Sequence, residues 1–133
     1  MNFKKSFTYD DGGRSKYYRS KKSSNDCVVR SIAIAFNQDY KNTLIDLCNF
    51  TITHGEPFNS KHIYEKYLLS KGWIKNKTLT KPNNKKYRIS ELPISDNCLI
   101  STRRHLTVLV NNTIRDLWDT RGQIAYNYYI KND

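Results

Sequence analysis

Apolar residues crowd the stretch 26–36, where Val28, Val29, Ile32, Ala33, Ile34, Ala35 and Phe36 fall on nearly every side of a helical wheel. That distribution predicts a helix buried all round. Asn25 and Asp26 supply N-cap residues ahead of it, and Asn37-Gln38-Asp39 breaks it. A second helix is expected at about 39–50, burying Leu44, Ile45, Leu47 and Cys48. Gly55 and Pro57 punctuate, Asn59 or Ser60 caps a third helix to about Ser70, and Gly72 ends it. Its core stripe is Ile63, Tyr64, Tyr67 and Leu68. The segment 73–93 reads as a lysine-rich connection with turns at Pro82 and Pro93. Beyond it the period changes to two: Cys98–Ile100, His105–Val110, Thr113–Trp118 and Ile124–Ile130 predict strands separated by short turns. Helices followed by an antiparallel sheet make an α+β pattern. Residues 1–24, with Gly12-Gly13 and many Lys, Arg and Ser, show no sustained period and read as a basic arm or irregular lead-in. A single α+β domain is expected over 25–133.

Composition narrows the class. A chain of 133 residues is one domain with room for a core, and ten tyrosines and five phenylalanines supply apolar bulk despite a mean hydropathy of −0.77. No run approaches the ~20 apolar residues of a membrane span, and Met1-Asn2-Phe3-Lys4-Lys5 lacks a signal-peptide core, so a cytoplasmic protein without membrane contact is expected. Three irregularly spaced cysteines describe no disulfide framework. With no Cys-x-x-Cys and no histidine pair at helical spacing, neither a metal nor a cofactor is expected. The net charge of +11 is concentrated in two places, +5 in 1–24 and +7 in 71–88, while the rest of the chain sums to −1. Such cationic segments suit a polyanionic partner, nucleic acid or an acidic protein.

Chemistry enters with Cys27, which opens the buried helix. A thiol there feels the positive end of the helix dipole and can hold its thiolate near neutral pH. Cys48 and Cys98, inside apolar runs, read as core residues. Downstream, Asn111-Asn112 separates two alternating runs, and asparagine tolerates the positive φ of a two-residue primed turn. Such a turn opposes Val110 to Thr113, Leu109 to Ile114, Val108 to Arg115 and Thr107 to Asp116. Asp116 is then the diagonal neighbour of His105 on one face, about 7–8 Å away between backbones, while Asp119 points to the other and would take its place only with a turn longer than two residues. Cysteine, histidine and aspartate so placed suggest a thiol hydrolase: Cys27 attacks, His105 moves the proton, and Asp116 orients the imidazole. The oxyanion would be met by the backbone N–H of Cys27 and the side chain of Asn25. His54 reads as a loop residue and His62 as a surface one.

The stretch Asn25-Asp26-Cys27-Val28-Val29-Arg30-Ser31-Ile32-Ala33-Ile34-Ala35 resembles the Asp-Cys-Val-x-Arg-Ala-x-Ala-x-Ala opening of small papain-like cysteine peptidases found in bacteriophage genomes. Arg104-His105-Leu106-Thr107-Val108-Leu109-Val110, followed by Ile114-Arg115-Asp116, is similar to the histidine strand, turn and aspartate of the same group, which is akin to the peptidases that trim bacteriocin leaders. The resemblance spans about 25–120. It implies a nucleophile helix packed on the sheet, Cys27, His105 and Asp116 as the triad, a protein or peptide substrate cleaved through an acyl-thioester, and a place of action in the host cytosol. The chain departs from the pattern at Lys21, where the wider superfamily often has Gln, and at Arg104, where many members have Gly. The competing expectation is a basic nucleic-acid-binding or host-takeover protein on an inactive scaffold. In it Lys75, Lys77, Lys81, Lys85, Lys86 and Arg88 would track phosphates while Tyr17, Tyr18 and Tyr87 stack on bases.

Overall fold

The computed structural model describes residues 4–18 and 25–132. Its elements are β1 (Ser6–Tyr9), α1 (Arg14–Tyr17), α2 (Cys27–Phe36), α3 (Tyr40–His54), α4 (Lys61–Ser70), β2 (Trp73–Lys77), β3 (Cys98–Thr102), β4 (His105–Val110), β5 (Thr113–Asp116) and β6 (Asn127–Lys131). The architecture is α+β, with four helices and a six-stranded mixed sheet in the order β1-β5-β4-β3-β6-β2. Among the described residues no helix is long and apolar enough to cross a membrane.

The apolar helix α2 is held by its ends and its middle. Asp26 stands at its N-cap, but the carboxylate makes no cap bond; Arg30 and Tyr40 occupy it instead. Asn37 closes the other end at φ 50°, a left-handed conformation asparagine tolerates, with its N–H bonded to the carbonyl of Ile34. In between, Ser31 Oγ donates to the Leu106 carbonyl at 2.8 Å, tying α2 to β4. Since Cys27 lies one turn before Ser31, this bond sets the thiol over the start of β4, where His105 begins the strand.

Two apolar layers sandwich the sheet. Val28, Val29 and Ile32 of α2 join Leu47, Tyr67, Leu68, Leu106 and Val108 in the layer beneath the helices. Ile89, Leu92, Cys98, Ile100, Leu109 and Ile114 fill the layer on the opposite face, closed by a short 3-10 turn at Ile89–Glu91. Along β4, Leu106 and Val108 serve one layer and Leu109 the other, the period of two that the sequence carries. Each fully buried aliphatic side chain contributes roughly 1.5–3 kcal/mol.

Several expectations are corrected. The sheet is not purely antiparallel, because β1 runs parallel to β5, from Ser6 opposite Thr113 to Tyr9 opposite Asp116. Residues 4–18 are therefore built into the same fold as the rest and are not an irregular lead-in. An edge strand of four residues with only Phe7 partly buried has no visible alternation, which is why the segment looks aperiodic. Residues 19–24 of the expected arm lie outside the described ones. The start of the lysine-rich connection is likewise a strand: β2 forms the other edge, antiparallel to β6. Lysines suit an exposed edge, since they keep it from pairing with another chain. The second helix runs on to His54, whose ring packs on Phe50 with centroids 4.1 Å apart, so His54 is helical and not in a loop. Cys98 is buried, but Cys48 and Ile45 face outward on α3.

Candidate active site

The hairpin is where local sequence dictates chemistry. Asn111 and Asn112 both take positive φ, 50° and 60°, and the pairs Val110–Thr113, Leu109–Ile114 and Val108–Arg115 follow in the register that a two-residue turn requires. His105 and Asp116 end up at the same end of the sheet, with His105 Nε2 2.7 Å from Asp116 Oδ2. Asp119 turns away and pairs with Arg121 at 2.8 Å.

Asp116 is 1% exposed and fully occupied. Its Oδ1 accepts from Arg30 Nη1 at 3.0 Å and from the Leu117 N–H at 2.7 Å, and the Thr107 hydroxyl also bonds the carboxylate. Burial would raise its pKa, but the hydrogen bond and charge of His105, with the Thr107 hydroxyl and the Leu117 N–H, hold it below the usual carboxylate value. With Nε2 committed to Asp116, the other ring nitrogen of His105 is left for Cys27, which lines the same cleft. Burial disfavours imidazolium, yet the bonds and charges of Asp116 and Cys27 outweigh it and push the His105 pKa up to about 9. Cys27 responds in the opposite direction. Burial would raise its pKa, but the bond from His105, the backbone N–H of Leu106, and the charges of His105 and Arg30 bring it below 9.0. Thiolate and imidazolium therefore favour one another.

Beneath this pair lies an alternating row of charges. Arg30, 5% exposed, donates from Nε to Asp26 Oδ1 at 2.8 Å and from Nη1 to Asp116. Asp26 also accepts from the Tyr40 hydroxyl at 2.9 Å and pairs with Arg14 at 3.4 Å. The sequence reading passed over Arg30 and Tyr40. Arg30 stands at i+4 from Asp26, a spacing that signals an ion pair on one helix face, but its second partner is 86 residues away and gives no local signal.

The thiol opens into a cleft of about 660 Å³, with His105, Arg104, Trp118, Tyr64, Lys61 and Asn59 among the residues around it. Trp118, 46% exposed, tilts over the His105 ring with centroids 5.3 Å apart. Asn25 also lines the cleft, and its carbonyl accepts from Asn59 Nδ2 at 3.0 Å. Lys61 donates to Asn127 Oδ1 at 2.6 Å. Among the described residues no group of three or more His, Cys, Asp or Glu side chains is placed to hold a metal ion.

The basic residues of 71–88 lie elsewhere. None of Lys75, Lys77, Lys81, Lys85, Lys86 and Arg88 lines the cleft. Lys75 pairs with Glu65 at 3.2 Å and Lys81 with Glu91 at 2.8 Å, while Arg88 Nη1 donates to the Gly122 carbonyl at 2.6 Å. Tyr17 and Tyr18 pack on Tyr40, and Tyr87 lies under Lys81, so all three already have partners within the chain. Compared with family models, curated proteins and solved structures, the chain matches none.

Proposed function

We propose that the protein is a cysteine hydrolase of the papain-like kind, most simply a peptidase, in which Cys27, His105 and Asp116 form the catalytic triad. The observation that carries this reading is the gathering of the Cys27 thiol, at the first turn of α2, and the His105 imidazole around one cleft, with the imidazole bonded to the buried Asp116 carboxylate. Three groups from separate parts of the chain meet with protonation preferences suited to nucleophilic attack. The Cys27 thiolate adds to the amide carbonyl carbon, forming the C–S bond and moving the carbonyl π pair to oxygen. Collapse of that intermediate breaks the C–N bond, and the His105 imidazolium gives its proton to the departing amine. Water then attacks the thioester, His105 takes the proton, and the thiolate leaves the released acid. Asp116 stays ionised throughout and holds the ring. The backbone N–H of Cys27 and the side chain of Asn25 are the proposed oxyanion donors. The resemblance to phage-encoded peptidases makes a host cytosol the proposed place of action.

The test is the rate of iodoacetamide modification of Cys27 against pH, followed by mass spectrometry in wild type and His105→Ala. Reaction well below the ordinary thiol pKa of ~8.5, lost without His105, is the expected result. A Cys27 that titrates like a free thiol in wild type overturns the reading. Salt-sensitive DNA binding through Lys77, Lys85 and Lys86 would then favour a nucleic-acid-binding protein on an inactive scaffold.

A further inference from the structure

We propose that the cleft selects substrates carrying a carboxylate side chain beside the scissile bond, held by Lys61 and Arg104; this rests on the cysteine hydrolase reading. The charge pattern of the cleft is the first argument. No carboxylate is among the described residues that line it. Asp116 beneath is 1% exposed, with both oxygens bound. The thiolate and the imidazolium cancel, and Arg30 is consumed by Asp26 and Asp116. Lys61 and Arg104 remain on the wall, and no carboxylate among the described residues is ion-paired with either.

Each of the two cations has its own peculiarity. Lys61, the first residue of α4, is held at 2.6 Å by Asn127 Oδ1, a neutral acceptor that fixes the ammonium without neutralising it. Glu65, the nearby acid, is engaged by Lys75 and by the Tyr129 hydroxyl. Partial burial brings the Lys61 pKa below the usual lysine value, against the pull of Glu65. Arg104 stands immediately before the general base at φ 68°, a left-handed conformation that favours glycine. That φ belongs to the two-residue turn Arg103-Arg104, which pairs Thr102 with His105, and the turn carries the cationic side chain to the wall of the cleft. Trp118 and Leu117 supply an apolar wall, and low polarity there strengthens an ion pair formed inside. A nucleic-acid strand fits these observations less well. Phosphate tracking needs a row of cations, and the basic residues of 71–88 are not in the cleft.

The experiment uses four thiol-directed probes: acetyl-Ala-Ala-Glu- and acetyl-Ala-Glu-Ala-acyloxymethyl ketones, and the same two sequences with Gln for Glu. The rate of Cys27 modification is followed by mass spectrometry in wild type, Lys61→Gln and Arg104→Gln, with iodoacetamide as the uncharged control. The expected result is that at least one Glu probe reacts about tenfold faster than its Gln counterpart. That preference should shrink severalfold in each variant while the iodoacetamide rates stay within about twofold of wild type. Equal rates for Glu and Gln probes in wild type, or a preference that survives both substitutions, overturns the inference and leaves the hydrolase reading standing. Wild-type Cys27 inert to iodoacetamide at neutral pH overturns both. Equal peptide rates together with protection of Cys27 by an oligothymidylate at low salt transfers the site to nucleic acid.

Discussion

Replacing Arg30 by Met tests whether the buried charge row holds the site together. The guanidinium makes two charge-assisted bonds, 2.8 Å to Asp26 and 3.0 Å to Asp116, and all three side chains are nearly excluded from solvent. Methionine matches much of the volume, so the loss is mainly electrostatic. Removing one partner of a buried ion pair costs about 3–5 kcal/mol, because a desolvated charge is left behind. Here two carboxylates lose the same partner, although Arg14, Tyr40, His105 and Leu117 continue to serve them. A domain of 133 residues unfolds with an entropy of roughly 0.28 kcal/mol/K, so this loss lowers Tm by about 11–18 °C. Calorimetry and urea unfolding at neutral pH measure it. The cycle with Asp116→Asn isolates the pair, and a coupling of about 0.5–3 kcal/mol is expected. Arg30→Lys should fall between, since an ammonium cannot fork to both carboxylates. If Arg30→Met unfolds within about 1 kcal/mol of wild type and the cycle is additive, the row is not what fixes Asp116.

The His105 pKa of about 9 predicts that peptidase activity rises with Cys27 ionisation and falls as pH passes about 9, while iodoacetamide reactivity, which needs only the thiolate, does not fall there; in Asp116→Asn, NMR titration of His105 should place its pKa at least one unit lower, and an unmoved value would sever the link. For stability the sign is that of a raised pKa: the His105 contribution is complete below its ordinary 6.5 and is lost as pH rises through about 9. Gly12→Ala adds a Cβ 2.9 Å from the Arg30 carbonyl at a residue with φ 69°, so a loss of about 1–3 kcal/mol in urea unfolding is expected, and a neutral result would mean that the N-terminal segment does not pack on α2 as described.

How legible the site was depended on whether its cause was local. The Cys27 helix announces itself because apolar residues and end-signals lie within a dozen positions. The choice of Asp116 over Asp119 is readable because two asparagines set a turn, and a turn sets every pair along the hairpin. Arg30 was invisible as a clamp since its second carboxylate is reached only through the packing of α2 on the sheet. β1 and β2 were hidden for a different reason. Edge strands bury little, so Ser6–Tyr9 and Trp73–Lys77 carry almost no alternation to detect. Lys61 and Arg104 likewise gain their meaning from a cleft whose walls come from distant parts of the chain.

The strand pairing that completes the sheet also sets a schedule. Ser6 lies opposite Thr113, and Arg30 meets Asp116 across 86 residues, so neither contact can form until the chain through Asp116 has left the ribosome. The helix that carries Cys27 is made early, but His105 and Asp116 are made late. Until they arrive Cys27 is an ordinary thiol on a partly folded chain. On the hydrolase reading proposed above, reactivity is thus withheld through synthesis, and a product ending before His105 carries the cysteine without its activation.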